Sequence, residues 1–193
     1  TVILANKALA LTWLGVSDIY QGSETTRTSL VDPDNRRPVD YSVLTNILER
    51  LDSGAAPRNL DEDKLFLTSR LARLRASRPN TFVGPRSGYR TIPVTTSFAF
   101  AYTRLLDEVP DVVVIVRRLS RRLEQLGGWR EESVVLPEGT WEDVLHGSTV
   151  EGGHQPLVEV VGDAPVVVLA KIPTKATTCN PSQPDQSSEG AAP

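Results

Sequence analysis

Methionine is absent from the 193 residues, cysteine occurs once, histidine twice, and aromatic side chains make up only 6%. Each scarcity excludes something. The lone Cys179 rules out an intramolecular disulfide or a thiolate metal cluster, and fits a reducing, cytoplasmic compartment. His146 and His154 have no second ligand at metal spacing, so loop positions fit them better than a zinc site, and neither metal nor cofactor is expected. No apolar run approaches about 20 residues, so no membrane span is expected. Residues 1–16 are apolar, but Asn6 and Lys7 interrupt them and no leader-type cleavage site follows, which argues against a signal peptide. Neither sign of charge dominates: 21 Lys and Arg stand against 24 Asp and Glu, for a net charge of -3. That balance excludes a globally basic nucleic-acid binder. The missing methionine hints at a chain that starts inside a longer protein.

What is present reads as two textures. Residues 1–13, "TVILANKALALTW", are apolar on most faces, as in a helix buried on several sides. "GVSDIY" then predicts a short strand over 16–20. From Gly22 to Asp40 there is no apolar periodicity, and Pro33 and Pro38 make it a loop. Nineteen residues is long for a connection, and long structured loops are usually functional. Helices follow in "YSVLTNILERL", with Val43, Ile47 and Leu51 in register, and in "DEDKLFLTSRLARLRASRP", with Leu67, Leu71 and Leu74, ended by Pro79.

From about residue 80 the runs "SFAFAYTR", "DVVVIV", "SVVLP", "PLVEVV" and "APVVVLA" read as strands, and predict an antiparallel β-sandwich over 79–173. Residues 174–193 lack large apolar side chains and read as a disordered tail. A single strand between helices in the first third cannot form a sheet alone, so 1–78 reads as a fragment of an α/β architecture.

The residues "LTWLGVSDIYQGSE" (11–24) and "SLVDPDNRRPVDY" (29–41) resemble the last barrel strand and following loop of the maltooligosyl trehalose synthases, in the α-amylase superfamily of glycoside hydrolases. "KLFLTSRLARLR", "RPNTFVGPRSGYR", "AFAYTR", "LPEGTWEDVLHG" and "APVVVLA" extend the resemblance more loosely over most of 1–173. It implies an α/β barrel remnant, the last helix-strand-helix part of a TIM-type barrel, followed by the antiparallel sandwich. The implied activity is intramolecular transglucosylation: the reducing-end α-1,4 linkage of a maltooligosaccharide becomes an α,α-1,1 (trehalose) linkage. The family's catalytic carboxylates lie on earlier strands, and no such motif precedes Leu11, so the resemblance implies a C-terminal portion inactive alone. The family has proline where this chain has Leu14 and Ser17, which removes two fixed φ angles at the entrance to the strand.

By the same resemblance Tyr20, Gln21 and Glu24 fall at a strand's C-terminal end, the active face of such barrels, with the loop extending over that face. Asp32, Asp34, Asn35, Arg36 and Arg37 then bind the reducing-end glucose, as acceptors and fixed donors. The plain alternative for "DPDNRRP" is an Asx and proline turn with a solvated charge pair. It is not an EF-hand: counted from Asp32, Arg37 replaces the glycine and Val43 the bidentate glutamate. Tyr20 and Glu24 also fit structural strand-end roles. "RRLSRR" (117–122) lacks a nearby aromatic platform and reads as a solvated, ion-paired face rather than a nucleic-acid site. Trp129 and Trp141 fit a sandwich core better than a sugar platform. The alternative function is a stand-alone, non-catalytic β-sandwich module that binds glucan or protein.

Overall fold

The computed structural model describes residues 2–28, 31, 33 and 36–173. The expected tail, 174–193, lies outside the described residues. Helix α1 (Val2–Thr12) is followed by the loop, then α2 (Tyr41–Asp52), α3 (Leu60–Ser77) and the single turn α4 (Pro79–Phe82). The chain continues through β1 (Ser87–Ile92), β2 (Ala99–Leu106), β3 (Val109–Arg117), α5 (Ser120–Gln125), β4 (Ser133–Asp143), β5 (Thr149–Pro156), α6 (Leu157–Val160) and β6 (Val166–Lys171).

The strands form one sheet, ordered β1-β2-β3-β6-β4-β5, with every pair antiparallel. The expected two-sheet sandwich is therefore corrected to a single curled sheet. An antiparallel bridge from Val94, beyond β1, to Val134 in β4 draws the two ends of the sheet together into a half-barrel. Alternation along each strand then yields two cores. Val112, Val114, Val116, Val168 and Tyr102 face α1 and α3, where they meet Ala8, Leu11, Leu67 and Leu71. Val113, Ile115, Leu169, Leu136, Trp129 and Trp141 fill the concave side. Both tryptophans are core residues, with indole N–H groups donating to the carbonyls of Gly162 and Pro137 at 2.7 and 2.9 Å.

Because β3 and β6 are covered on both faces, each carries an unbroken apolar run, over 112–116 and 166–170. "PLVEVV", expected as a strand, instead forms α6: Val161 N–H donates to Leu157 O at 2.9 Å, so these two buried side chains sit one helical turn apart. Gly152 lets β5 cross the irregular middle of β4, where a Cβ would lie 2.5 Å from Pro137 O.

The end of α1 is fixed from two sides. Arg75 of α3 donates to the carbonyls of Leu11 and Gly15, at 2.8 and 3.3 Å, supplying donors that a helix C-terminus lacks. Thr12 Oγ1 donates to Ala8 O at 2.6 Å, so the Tyr102 hydroxyl donates to Thr12 across a second 2.6 Å contact. Burial pushes the Tyr102 phenol up to about 12, against the opposing effect of the Thr12 hydrogen bond. A phenol raised in the folded state stabilises fully below its unfolded value, and that stability is lost as pH rises from there through the folded value. Tyr102→Phe should cost about 1 kcal/mol at neutral pH through the lost hydrogen bond. The gap between the two proteins should narrow between pH 10 and 12, read as urea midpoints across that range.

No helix among the described residues is long and apolar enough to cross a membrane.

Candidate functional site: the loop after the first helix

Val16–Tyr20, expected as a barrel strand, runs without strand pairing. The physical reason is the absence of a pairing partner: among the described residues the sheet's six strands pair with one another and none pairs with this segment. The chain then turns, with Ser23 N–H donating to Tyr20 O at 2.9 Å. Gly22, at φ +77°, is buried where the two ends of the loop meet. A Cβ there would fall 2.3 Å from Arg27 Nη1 and 3.0 Å from Val39 Cγ2, and the left-handed φ would strain any other residue, so glycine suits the closure. Arg27 donates to Gln21 O at 3.0 Å across the same junction. The closure leaves a cavity of about 280 Å³ bounded by Gly22, Thr25, Arg27, Val39 and Asp40.

Asp40 ends the loop and starts α2. Its Oδ1 accepts from the N–H groups of Ser42 and Val43 at 3.1 and 3.2 Å, the N-cap arrangement. The Ser42 hydroxyl, then the Val43 N–H, hold its carboxyl below its ordinary value. Asn59 caps α3 through Glu62 N–H at 3.0 Å, and the Glu62 carboxylate pairs with Arg50 of α2. These contacts fix the two helices behind the loop.

Of the candidate sugar-binding residues, Tyr20, Gln21, Arg36 and Arg37 are exposed, and Arg36 N–H closes a turn onto Pro33 O at 3.3 Å. Asp32, Asp34 and Asn35 lie outside the described residues. Glu24 differs from the exposed group. It is half-buried, and its Oε2 is enclosed without a hydrogen-bond partner, within electrostatic reach of Lys7 and Lys64. Burial, reinforced by Lys64, lowers the Lys7 ammonium, while Glu24 and Asp18 act the other way. Burial likewise lowers Lys64, against Asp61 and Glu24.

Sequence reasoning missed the residues that seat this turn. Lys64 Nζ donates to Thr25 O at 2.8 Å, Thr26 N–H donates to Asp61 Oδ1 at 2.8 Å, and Lys7 reaches Ser23 Oγ at 3.4 Å. One signal was available: Lys7 is the single charge in the mostly apolar α1. Elsewhere, His146 pairs with Asp143 at 2.7 Å and His154 meets Ser133 Oγ at 3.0 Å. Among the described residues no group of three or more His, Cys, Asp or Glu could hold a metal ion.

The described chain is thus a two-layer α+β structure, helices over one face of an antiparallel half-barrel, with a polar loop at the helical end. In sequence and fold it is similar to a C-terminal portion of the maltooligosyl trehalose synthases. Two proteins so described, from Mycobacterium tuberculosis strains CDC 1551 / Oshkosh and ATCC 25618 / H37Rv, are each 40% identical to it over 174 residues. That match takes in 87% of this chain, which spans only about 20% of the relatives' length. The solved maltooligosyltrehalose synthase from Arthrobacter ramosus is 32% identical, with a TM-score of 0.75, over 88% of this chain and 22% of that one. The DSM5389 glycosyltrehalose synthase, 23% identical with a TM-score of 0.61 over 88% of this chain and 21% of its own, shares the fold. No family model matches the chain.

Proposed function

We propose that these residues are the C-terminal portion of a maltooligosyl trehalose synthase, an enzyme of trehalose biosynthesis, in which residues 1–78 close the catalytic barrel and 79–173 form the domain behind it. The 40% identity over 174 residues carries the reading, because it spans the polar loop, the helices and the sheet together. In the parent enzyme a retaining pair of carboxyl groups, about 5–5.5 Å apart, cleaves the α-1,4 bond to the reducing-end glucose and leaves the rest of the oligosaccharide as a covalent glycosyl-enzyme intermediate. The released glucose turns within the site and attacks that intermediate through its anomeric hydroxyl, giving the α,α-1,1 bond. Water at the same position gives hydrolysis, so the site must hold the glucose and exclude water.

The loop suits that task. Its ends are closed over Gly22 and seated on α1 and α3, so the exposed Tyr20, Gln21, Arg36 and Arg37 project from a fixed base. Together with Asp32, Asp34 and Asn35 they offer donors and acceptors for sugar hydroxyls. Glu24, in the same loop, is half-buried within electrostatic reach of Lys7 and Lys64, which draws this end of the loop toward α1 and α3.

The coding sequence read upstream in frame tests the proposal. It should supply earlier barrel strands with Asp and Glu at their ends. A start codon at this point, with a stop codon before it, would contradict the reading.

A further inference from the structure

The run "RRLSRR" at the end of β3 is not used by the loop, and the structure gives it a place. Leu119 adopts a left-handed backbone, φ +48°, unfavourable for a residue with a side chain, and is 57% exposed. It heads α5 without a side-chain cap, its carbonyl accepting from the N–H groups of Arg122 and Leu123 at 2.9 and 3.0 Å. Leu119 and the 70%-exposed Val2 flank a groove of about 460 Å³ between α1 and the end of the β2–β3 hairpin. Ala5, Leu9, Phe100 and Val116 line it.

One edge of the groove is basic. The Arg117 side chain is only 8% exposed, and its Nε is enclosed without an acceptor. Among the described residues its terminal nitrogens make long ion pairs, 3.7 Å to Glu124 and 3.6 Å to Asp163. Arg118 lines the groove with it, and Arg121, Arg122 and Glu124 line an adjoining hollow that shares Val2, Leu119 and Ser120 with the groove.

We propose that this groove seats a segment of the parent polypeptide outside these 193 residues, with apolar side chains on the groove lining and a carboxylate for Arg117 and its neighbours. The proposal rests on the reading that the chain is part of a longer enzyme. Three observations select that occupant. Helix α1 is apolar on most faces, the pattern of a helix buried by more than one neighbour. The chain spans about a fifth of its relatives' length, so most of such a parent remains to cover it. A second copy packed across a two-fold axis would bring the same arginines against each other, whereas a carboxylate-bearing segment relieves them.

The test places the photoreactive residue p-benzoylphenylalanine in place of Leu119 in the full-length parent enzyme, followed by irradiation and mass spectrometry. The expected product is an intramolecular cross-link to a segment outside these residues that carries Asp or Glu beside apolar side chains. The probe in place of Val2 should report the same segment, and the double variant Arg118→Glu, Arg121→Glu should lower the yield several-fold. A probe in place of Val158, exposed and not among the groove's lining residues, should give no such product. Cross-links between two copies, cross-links only within these residues, or none from position 119 would each overturn the proposal. A native polypeptide limited to these 193 residues would instead sink the parent reading, and its mass would reveal that before irradiation.

Discussion

Incubated alone with maltopentaose, the 193-residue chain should release neither a trehalose-ended product nor free glucose. Retaining transfer needs two carboxyl groups about 5–5.5 Å apart on either side of one glycosidic bond. Several of the described carboxylates have other work. Glu62 pairs with Arg50, Asp52 with Arg73, Asp111 with Arg78 and Asp107 with Arg86. Asp40 is the one carboxylate lining the cavity beside the loop, and it caps α2. Enzymes of this kind exceed the uncatalysed reaction by about a million-fold or more, so the loss should take turnover to background. Chromatography of the products after prolonged incubation is the measurement. Any trehalose-ended sugar made by the chain alone would contradict the account.

The second large effect belongs to the exposed arginines of the loop. In the parent enzyme, Arg36→Ala or Arg37→Ala should each lower turnover of maltopentaose by roughly 10–100-fold, the value of a charge-assisted hydrogen bond of about 1.5–3 kcal/mol. Global stability should change little, because both side chains are exposed and stand apart from the two cores. The effect should fall mainly on turnover rather than on affinity for the whole oligosaccharide. In the proposed reaction the glucose has to be gripped after its bond is cut, so the contact would matter most in the state that follows binding. Lysine at either position should recover only part of the activity, since one ammonium cannot reproduce the fork of a guanidinium.

The helices were legible because their signals are local. Val43, Ile47 and Leu51 mark one stripe, Leu67, Leu71 and Leu74 another, and Pro79 stops the second. The central strands β3 and β6 were legible because burial on both faces gives each a continuous apolar run, and β2 was legible from "AFAY", ahead of the buried Thr103 and Arg104. The edge strands were not. β1, "SGYRTI", and β5, "TVEGGHQP", each have one neighbour and little burial, so neither an apolar run nor clean alternation marks them. The difference between two stacked sheets and one curled sheet rests on contacts such as Val94 with Val134, forty residues apart, which strand patterns do not encode. "GVSDIY" shows the opposite failure: its residues favour a strand, but a strand without a neighbour has no ladder to join.

The candidate site was legible as residue types and not as geometry. The loop's length, prolines and charges mark it for function, and Gly22 is visible as a glycine. Its necessity appears only when Arg27 and Val39 are seen closing over it. The lysines beneath the turn come from α1 and α3, 57 positions apart, so only the fold brings Lys7 and Lys64 around Glu24. Glu24 itself fitted either a sugar contact or a structural carboxylate by sequence, and its enclosed oxygen adds weight to the structural role.

The most direct test of the loop's assigned role is the partition of products made by the parent enzyme from maltopentaose, the ratio of trehalose-ended sugar to free glucose. If the loop holds the released glucose against water, Arg36→Ala and Arg37→Ala will both lower that ratio as well as the rate. If either variant leaves both the ratio and the turnover of the unaltered enzyme intact, the loop does not grip the glucose and the account fails at its centre.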